Sequence, residues 1–336
     1  MITLQMPLEK ITEKDLQKLI GFSEDKHYDF KELILQTEKE FLGDSQGEER
    51  ATKKKEYEKL KAKFLANVVS FANGEGGDLY FGISEDENKY ANEIVGIDAD
   101  DEETLWLRLD SLIRNKIEHP LPNNYSKVFV PLKNNKKVLI LRIFESWNKP
   151  HRETITNRFT LRHIGGKHDM TITELKESFL FSEKAYDKML SFHQERVDLI
   201  LKKEVPIKLY SHPRMLMMIM PMASFTNIYP TLSVNIFNEN HPTAISGAID
   251  SNFRINLEGW LAIQKARIGT TDNYENIAFI QVYRNGVVEL QDSVFHIVNG
   301  SIDREGEIDT WWFVRNILMF LKTSIDSLKK HELLGP

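Results

Sequence analysis

The spacing of apolar residues predicts helices and strands in alternation along the first half of the chain. Between about 56 and 73, Leu60, Phe64, Val68 and Phe71 recur at three- and four-residue intervals, the spacing of a helix with one buried face. Shorter helices are predicted at 13–20, 101–117 and 171–181. Alternating apolar and polar residues, or short apolar runs between turn residues, predict strands at 27–35, 78–83, 125–132, 136–144 and 157–163.

The second half is predicted to begin with one helix, 183–203, and to continue mainly as strands. The strand-like segments that follow Pro206 are 215–220, 231–237, 260–267, 277–284 and 286–295. Asn285-Gly286 predicts a two-residue type I′ hairpin turn, because both residues tolerate a positive φ. A last helix, about 307–330, carries an apolar stripe from Trp311 to Leu328, which is typical of a core or a dimer contact.

These elements predict an α+β protein with two domains. We expect a mixed-sheet domain over residues 1–182, a linking helix over 183–204, and an accessory α+β domain over 205–336 that serves dimerisation or substrate clamping. A chain of 336 residues with 41% apolar residues is long enough for two hydrophobic cores. The charged, glycine-punctuated segment 36–55 is interpreted as a surface connection, with a phosphate-contacting loop as the alternative.

Composition excludes several kinds of chemistry. The chain has no cysteine, which excludes disulfides, thiol nucleophiles and cysteine-ligated zinc. Its start has no signal-peptide pattern, and no apolar run is long enough to span a bilayer. We therefore expect a cytoplasmic protein without a membrane partner.

Charge is unevenly distributed along the chain. The net charge of -6 argues against a protein that coats DNA through a broad basic surface. Segment 149–168 is nevertheless locally basic, with a single acid, Glu153. Its positive and imidazole side chains are candidates for gripping a nucleic-acid backbone: Lys149, His151, Arg152, Arg158, Arg162, His163, Lys167 and His168.

The segment around residues 24–31 carries the first candidate chemistry. Alternation places Tyr28 and Phe30 on one face of a strand and Asp29 and Lys31 on the other, with Glu24 just before it. A carboxylate beside an ammonium suits phosphodiester hydrolysis, because the carboxylate can hold a divalent ion and the lysine can stabilise the transferring phosphate.

A second motif reads as a helix, a tight glycine turn and a strand that ends in Ser84-Glu85-Asp86. It could bring further carboxylates beside the first pair. The turn is not a phosphate-binding Walker A loop, because Asp78-Leu79 stands where the lysine and hydroxyl residue should follow the last glycine. No ATP site is recognised in the sequence.

The chain resembles the Schlafen AlbA-like domain family over about residues 20–182. The motifs that carry the resemblance occur in the family's order: Glu24 with Asp29-Phe30-Lys31, Ala72-Asn73-Gly74-Glu75-Gly76-Gly77, Leu79-Tyr80-Phe81-Gly82-Ile83, Pro150-His151, Arg158-Phe159-Thr160-Leu161-Arg162, Gly165-Gly166-Lys167-His168-Asp169-Met170 and Glu174-Leu175. Family members include metal-dependent ribonucleases that cut tRNA-like RNA.

The resemblance implies a set of site residues. The family's acids fall on Glu24, on Asp29, and on Glu85 or Asp86, and these would hold Mg²⁺ or Mn²⁺. Asp29 stands where the family usually has Glu, which shortens the reach of that ligand by one methylene. With Lys31 as the phosphate-stabilising residue, Glu24, Asp29 and Glu85 form the expected catalytic group. The resemblance also implies a biological role in antiviral defence or growth arrest.

Three functions remain open from the sequence. The first is a metal-dependent endonuclease acting on structured RNA in preference to DNA. The second is a non-catalytic nucleic-acid-binding regulator, and the third is a regulatory protein that binds a small ligand in one domain and dimerises through the other. Clustered carboxylates favour the first function, because they repel phosphate unless a cation lies among them.

Overall fold

The computed structural model describes residues 6–99, 101–121, 124–210, 215–226, 250–268, 274–292, 297–298, 301–302 and 310–330. The chain divides into two compact units, Met1–Ser182 and Glu183–Leu334. Both combine helices with sheets, so the predicted α+β class is confirmed. The predicted strand 231–237 lies outside the described residues. Among the described helices, none has the length and apolar character needed to cross a bilayer.

The helices of the first unit include one long element, α3 (Gly47–Asn73), which begins earlier than the pattern predicts. Its first turns are charged and exposed, so no apolar stripe marks them. The shorter helices are α1 (Glu13–Gln17), α2 (Glu38–Leu42) and α4 (Glu102–Lys116). The two helices predicted at 171–181 and 183–203 are one continuous helix, α5 (Ile172–Leu201).

A four-stranded mixed sheet forms the centre of the first unit, in the order β1-β2-β7-β6. Its strands are β1 (Tyr28–Lys31), β2 (Gly77–Phe81), β6 (Tyr125–Pro131) and β7 (Lys137–Ile143). The edge strand β1 runs parallel to β2, with Asp29 opposite Leu79, and the remaining pairs are antiparallel. β1 is shorter than the predicted strand 27–35, because the chain leaves the sheet after Lys31.

Three two-stranded ladders surround this sheet. The first is β3 (Ile83–Glu85) with β4 (Ala91–Ile94), and the second is β5 (Ile117–Glu118) with β8 (Arg152–Glu153). The third, which we call the closing hairpin, is β9 (Thr160–His163) with β10 (Gly166–Asp169). The closing hairpin is tied to α3, since the Thr160 hydroxyl donates a hydrogen bond to the Ala66 carbonyl at 2.8 Å.

The central sheet is covered on both faces. Side chains of α3 and α4 pack on one face, where Phe64, Leu65, Val68 and Leu109 are among the buried residues. The other face packs against the N-terminal segment, with the following buried side chains in that cluster: Leu8, Leu16, Leu19, Tyr28, Phe30, Tyr80 and Ile140. Asp29 and Lys31 alternate with Tyr28 and Phe30, so they lie on the α3 face of the edge strand.

The glycine turn between α3 and β2 is explained by close packing. Gly76 has a φ of 75°, and a Cβ there would lie 2.8 Å from the Ile143 carbonyl oxygen. A Cβ on Gly77 would lie 2.4 Å from the Phe71 ring. Positions 76 and 77 therefore admit only glycine where α3 returns tightly into the sheet.

The second unit is built on a sheet whose described strands follow the order β11-β15-β14-β13-β17-β16, with β12 paired to β13. The strands are β11 (Met215–Ile219), β12 (Asp250–Ile255), β13 (Gly259–Ile268), β14 (Tyr274–Tyr283), β15 (Val288–Asp292), β16 (Ile297–Val298) and β17 (Ser301–Ile302). The last helix, α6 (Thr310–Lys330), packs Phe320 and Leu328 against one sheet face. On the other face, Arg196 of α5 forms a buried ion pair with Glu289 at 2.8 Å.

The β14–β15 hairpin forms where it is expected, but the predicted type I′ turn is wrong. Gly286 has a φ of 90°, whereas Asn285 has no positive φ. The Tyr283 amide donates a hydrogen bond to the Val287 carbonyl at 2.8 Å, which closes a three-residue loop with glycine in the left-handed position.

Candidate carboxylate site

The edge strand β1 positions the first two site residues. Asp25 accepts hydrogen bonds from the amides of His27 at 2.7 Å and Tyr28 at 2.9 Å, which forms the turn into β1. Tyr28 and Phe30 then enter the core, and the alternation turns Asp29 and Lys31 to the opposite face. Asp29 is 1% exposed, so its carboxylate is held inside the protein.

The β3–β4 hairpin brings two further acids to this strand. The amide of Glu24 donates a hydrogen bond to the Lys89 carbonyl at 2.9 Å, and Ala91 donates to Phe22 at 2.8 Å. These bonds fix the segment before β1 against the hairpin. Glu85, the last residue of β3, then lies beside Glu24.

Glu24, Asp29 and Glu85 converge on one point. One carboxylate oxygen from each lies within 4.8 Å of the others. The Lys31 ammonium is at their centre, with Nζ 2.5 Å from Asp29 Oδ1, 2.9 Å from Glu24 Oε1 and 3.2 Å from Glu85 Oε1. We call these four residues the carboxylate site.

The charges of the carboxylate site are strongly coupled. Burial, together with the neighbouring Glu24, raises the pKa of the Asp29 carboxyl despite the opposing charges of Arg162 and Lys31. Burial opposes the charged form of Lys31, but the charges of Asp29 and Glu24 outweigh it and raise the lysine pKa. Lys31 is therefore a permanent ammonium, suited to binding a phosphate and unsuited to accepting a proton.

The donor set of the carboxylate site fits a hard divalent cation. Three carboxylates converge, and carboxylate oxygens are the ligands that Mg²⁺ and Mn²⁺ prefer. Asp29 Oδ1 is buried and receives no hydrogen bond of normal geometry, although Lys31 Nζ is close. Lys31 already shows that this position attracts positive charge. Glu24, Asp29 and Glu85 would be the residues that hold an ion.

Asp86, the alternative third acid, is directed elsewhere. Its Oδ1 accepts hydrogen bonds from the amides of Asn88 at 2.8 Å and Tyr90 at 2.9 Å. Asp86 therefore fixes the turn between β3 and β4. The sequence leaves the third acid open between Glu85 and Asp86. Of these two residues, Glu85 is the one whose carboxylate lies in the cluster with Glu24 and Asp29.

The basic segment 149–168 does not form one surface, contrary to the expectation from sequence. The His151 side chain is fully buried, its Nδ1 lies 2.5 Å from the His119 carbonyl oxygen, and its amide donates to Asn73 at 2.7 Å. The Lys149 side chain is mostly buried and pairs with Glu145 at 2.5 Å. His151 is consequently excluded as a direct contact for nucleic acid.

Arg162 is also buried, and it acts inside the carboxylate site. It donates hydrogen bonds to Asp29 Oδ2 at 2.9 Å, to the Tyr28 carbonyl at 2.9 Å and to the Asp25 carbonyl at 2.7 Å. Its guanidinium also lies over the Phe71 ring, 4.7 Å from the centroid. The residue predicted to grip a backbone from the surface instead fixes the orientation of Asp29.

A basic groove of about 560 Å³ runs between α3 and the closing hairpin. Its charged lining consists of Lys59, Lys63, Arg158, Lys167 and Asp169, and His168 borders it. Arg158, Lys167 and His168 were expected from sequence. Lys59 and Lys63 were missed, because a lysine on the polar face of a helix carries no sequence signal that separates it from ordinary solvated surface.

The basic groove leads toward the carboxylate site. Lys63 lines both this groove and a neighbouring cleft of about 980 Å³ that reaches Lys31. Lys167 donates a hydrogen bond to Asn67 at 2.6 Å, and burial lowers the lysine pKa to about 8. Lysine side chains of α3, Lys59 and Lys63, therefore line the path from the basic groove toward the carboxylate site.

Comparison with known proteins identifies this part of the chain. The family model for the Schlafen, AlbA_2 domain matches residues 24–171. No curated protein matches the chain. Two solved structures are similar to parts of it: the DIP2311 protein from Corynebacterium diphtheriae, and the N-terminal domain of a protein described as related to the ATP-dependent DNA helicase RecG, from Nitrosomonas europaea.

Both structural likenesses are distant. The first has 19% identity over 48% of this chain and a TM-score of 0.29, and the second has 20% identity over 32% of this chain and a TM-score of 0.25. The similarity spans 30% of the C. diphtheriae chain and 74% of the N. europaea domain. The family match, in contrast, contains all four residues of the carboxylate site and the closing hairpin. Residues 24–171 of this chain match the Schlafen, AlbA_2 domain family.

Proposed function

We propose that this protein is a metal-dependent endoribonuclease that cuts structured RNA such as tRNA. A Schlafen AlbA_2 domain indicates a nucleic-acid-related function, and the proposal adds the reaction, the substrate and the ion. The observation that carries it is the convergence of Glu24, Asp29 and Glu85 around Lys31.

The carboxylate site favours cleavage over simple binding for an electrostatic reason. Three acids within 4.8 Å of one another repel a phosphate backbone. A protein that only binds nucleic acid gains nothing from such a cluster beside a basic groove. A cation among the acids reverses the sign of the site and makes it attractive to phosphate.

Each part of the site has a role in the proposed reaction. A bound Mg²⁺ or Mn²⁺ would supply Lewis-acid activation of water and of the scissile phosphate. Lys31 stabilises negative charge that develops on the phosphate. Arg162 keeps Asp29 in its orientation, and the basic groove holds the RNA backbone through Lys63 and Lys167.

Paired substitutions test the proposal. Purified protein is incubated with total tRNA, single-stranded DNA and double-stranded DNA, with Mn²⁺ or with EDTA. We expect tRNA cleavage that needs the metal and falls by about 100-fold or more in Glu85→Gln. Asp86→Asn is the matched control. The Asp86 carboxylate is next to Glu85 in sequence but lies outside the cluster, so this variant should keep most of the activity. Equal loss in both variants would contradict the assignment of Glu85.

A non-catalytic nucleic-acid-binding regulator is the second candidate function. Lys31 contacts all three acids, and a cluster neutralised in this way could serve only to stabilise the fold. In that case tRNA would be retained but uncut, with or without Mn²⁺. Retention would then depend on the lysines of the basic groove and would be unaffected by Glu85→Gln.

A further inference from the structure

A second cluster of ligand-type side chains lies outside the carboxylate site. His163 Nε2 is 3.2 Å from Glu174 Oε1, and His168 Nε2 is 3.0 Å from the same oxygen. The two imidazole rings are stacked, with centroids 4.8 Å apart. One ligand atom from each of the three residues lies within 4.8 Å of the others.

The closing hairpin creates this arrangement through strand alternation. His163 pairs with Gly166 across the hairpin. His168 pairs with Leu161, which lies two positions before His163 on β9. Side chains two positions apart on a strand share a face, so His163 and His168 lie on one face of the hairpin. Arg162 and Lys167 lie on the other face, toward the carboxylate site.

Glu174 is oriented before any ligand arrives. Its Oε2 accepts hydrogen bonds from the Thr171 amide at 2.8 Å and the Thr171 hydroxyl at 2.9 Å. Its own amide donates to the Thr171 hydroxyl at 3.3 Å, which completes a capping box at the start of α5. The helix cap therefore fixes one carboxylate oxygen and leaves the other directed at both imidazoles.

We propose that His163, His168 and Glu174 form a binding site for a divalent transition-metal ion such as Zn²⁺. Two imidazole nitrogens and one carboxylate oxygen are the ligand types that Zn²⁺ accepts in three-ligand sites, with water in the fourth position. The same set is poor for Mg²⁺, which prefers oxygen ligands. This site is chemically distinct from the carboxylate site, and it does not rest on the proposed nuclease activity.

A bound ion would join the closing hairpin to the first turn of α5. His163 and His168 come from the hairpin, whereas Glu174 comes from the helix. The same hairpin carries Arg162, which holds Asp29. Metal binding at this position would therefore restrain the closing hairpin, whose Arg162 orients Asp29 in the carboxylate site.

Calorimetric titration of the full chain with Zn²⁺ tests the proposal. We expect one site that excess Mg²⁺ does not displace. His163→Ala/His168→Ala should weaken Zn²⁺ binding at that site by at least about 100-fold. Both histidines are partly or largely exposed, so the double variant should keep its fold, which circular dichroism checks. Glu174→Gln retains a residue that can complete the helix cap, and it should weaken binding without loss of α5.

Two control variants separate this site from other histidines and from the carboxylate site. His193→Ala removes an exposed histidine of α5 outside the cluster and should leave Zn²⁺ binding unchanged. Glu85→Gln should also leave the high-affinity Zn²⁺ site intact. An unchanged stoichiometry and affinity in His163→Ala/His168→Ala, or no Zn²⁺ binding by the wild-type protein, would overturn the proposal.

Discussion

Arg162 forms a buried ion pair with Asp29, in which Nη1 lies 2.9 Å from Oδ2 and both side chains are 2% exposed. The same guanidinium donates to two carbonyls of the segment that leads into β1. The closing hairpin therefore fixes both the acid and the backbone that presents it. The charge of Arg162 is already satisfied within the protein, so Arg162 has a positioning role in the carboxylate site.

Replacing Arg162 should destabilise the first unit far more than replacing Arg158. Arg162→Met removes one of the two cations that contact the buried Asp29 carboxylate, together with the hydrogen bonds to the Asp25 and Tyr28 carbonyls, which costs about 3–5 kcal/mol of unfolding free energy. Arg158 is exposed and its nearest acid, Asp169, is 3.7 Å away, so Arg158→Gln should change stability by less than about 0.5 kcal/mol. Urea unfolding of the two variants measures the difference. Similar values would contradict the buried ion pair.

The pH dependence of stability should show the buried His151. Burial lowers the pKa of its imidazole to about 4 from an ordinary value of 6.5. Below pH 6.5 the unfolded chain takes up a proton that the folded chain refuses, so stability falls until the pH reaches about 4. At one pKa unit per 1.36 kcal/mol, the full loss from this group is about 3 kcal/mol.

Unfolding curves of wild type and His151→Gln at several pH values check this expectation. Between pH 7 and pH 5, the wild type should lose about 2 kcal/mol more than the variant. His193→Gln removes an exposed histidine and should keep the wild-type slope. Parallel slopes for wild type and His151→Gln would mean that the folded protein binds this proton as readily as the unfolded chain, which would contradict the lowered pKa of His151.

The sequence predicted those features that depend on neighbouring residues. The alternation around Asp29 and Lys31, the helix that ends at Asn73 and the glycine turn are local patterns, and the structure shows all three. The start of α3 at Gly47 was missed, since its exposed charged turns resemble a surface connection. The continuity of α5 was also missed, because nothing local distinguishes one long helix from two shorter ones in sequence.

The environment of each charged residue could not be predicted in the same way. Arg162 and Arg158 stand four positions apart in one basic segment, yet Arg162 is buried and Arg158 is exposed, with Asp169 3.7 Å away. Their difference arises from packing of the closing hairpin on α3 and β1, which brings together residues distant in sequence. The sequence therefore located the acids of the carboxylate site better than the cations around it.

The lysines of α3 should determine the salt dependence of RNA binding. Lys59 and Lys63 line the basic groove, and each phosphate contact releases about one counterion. Lys59→Gln/Lys63→Gln should reduce the slope of log affinity against log salt concentration by about 2. Lys14→Gln, at an exposed position of α1, is the control and should leave the slope unchanged. Fluorescence anisotropy with labelled tRNA measures both, and an unchanged slope in the double variant would place the RNA elsewhere.

Among the described residues of the last helix, α6, one apolar face is buried in the second unit and a second apolar face is exposed. Phe320 and Leu328 pack against the sheet, whereas Trp311, Val314, Leu318 and Leu321 are exposed by 67%, 48%, 61% and 38%. The exposed residues recur at three- and four-residue spacing, which is the pattern of a seam between two helices. We therefore predict that two copies of the chain pair through this stripe.

Light scattering of the full chain should report a dimer at micromolar concentration, and Leu318→Glu should convert it into a folded monomer. The new carboxylate would be buried without a partner in the seam, which is strongly unfavourable. Lys14→Glu changes charge by more at an exposed position of α1, away from the stripe, so it should remain dimeric. Circular dichroism confirms that each variant is folded. If the wild-type protein is a monomer at this concentration, the paired arrangement is wrong, and the carboxylate site must then act within a single chain.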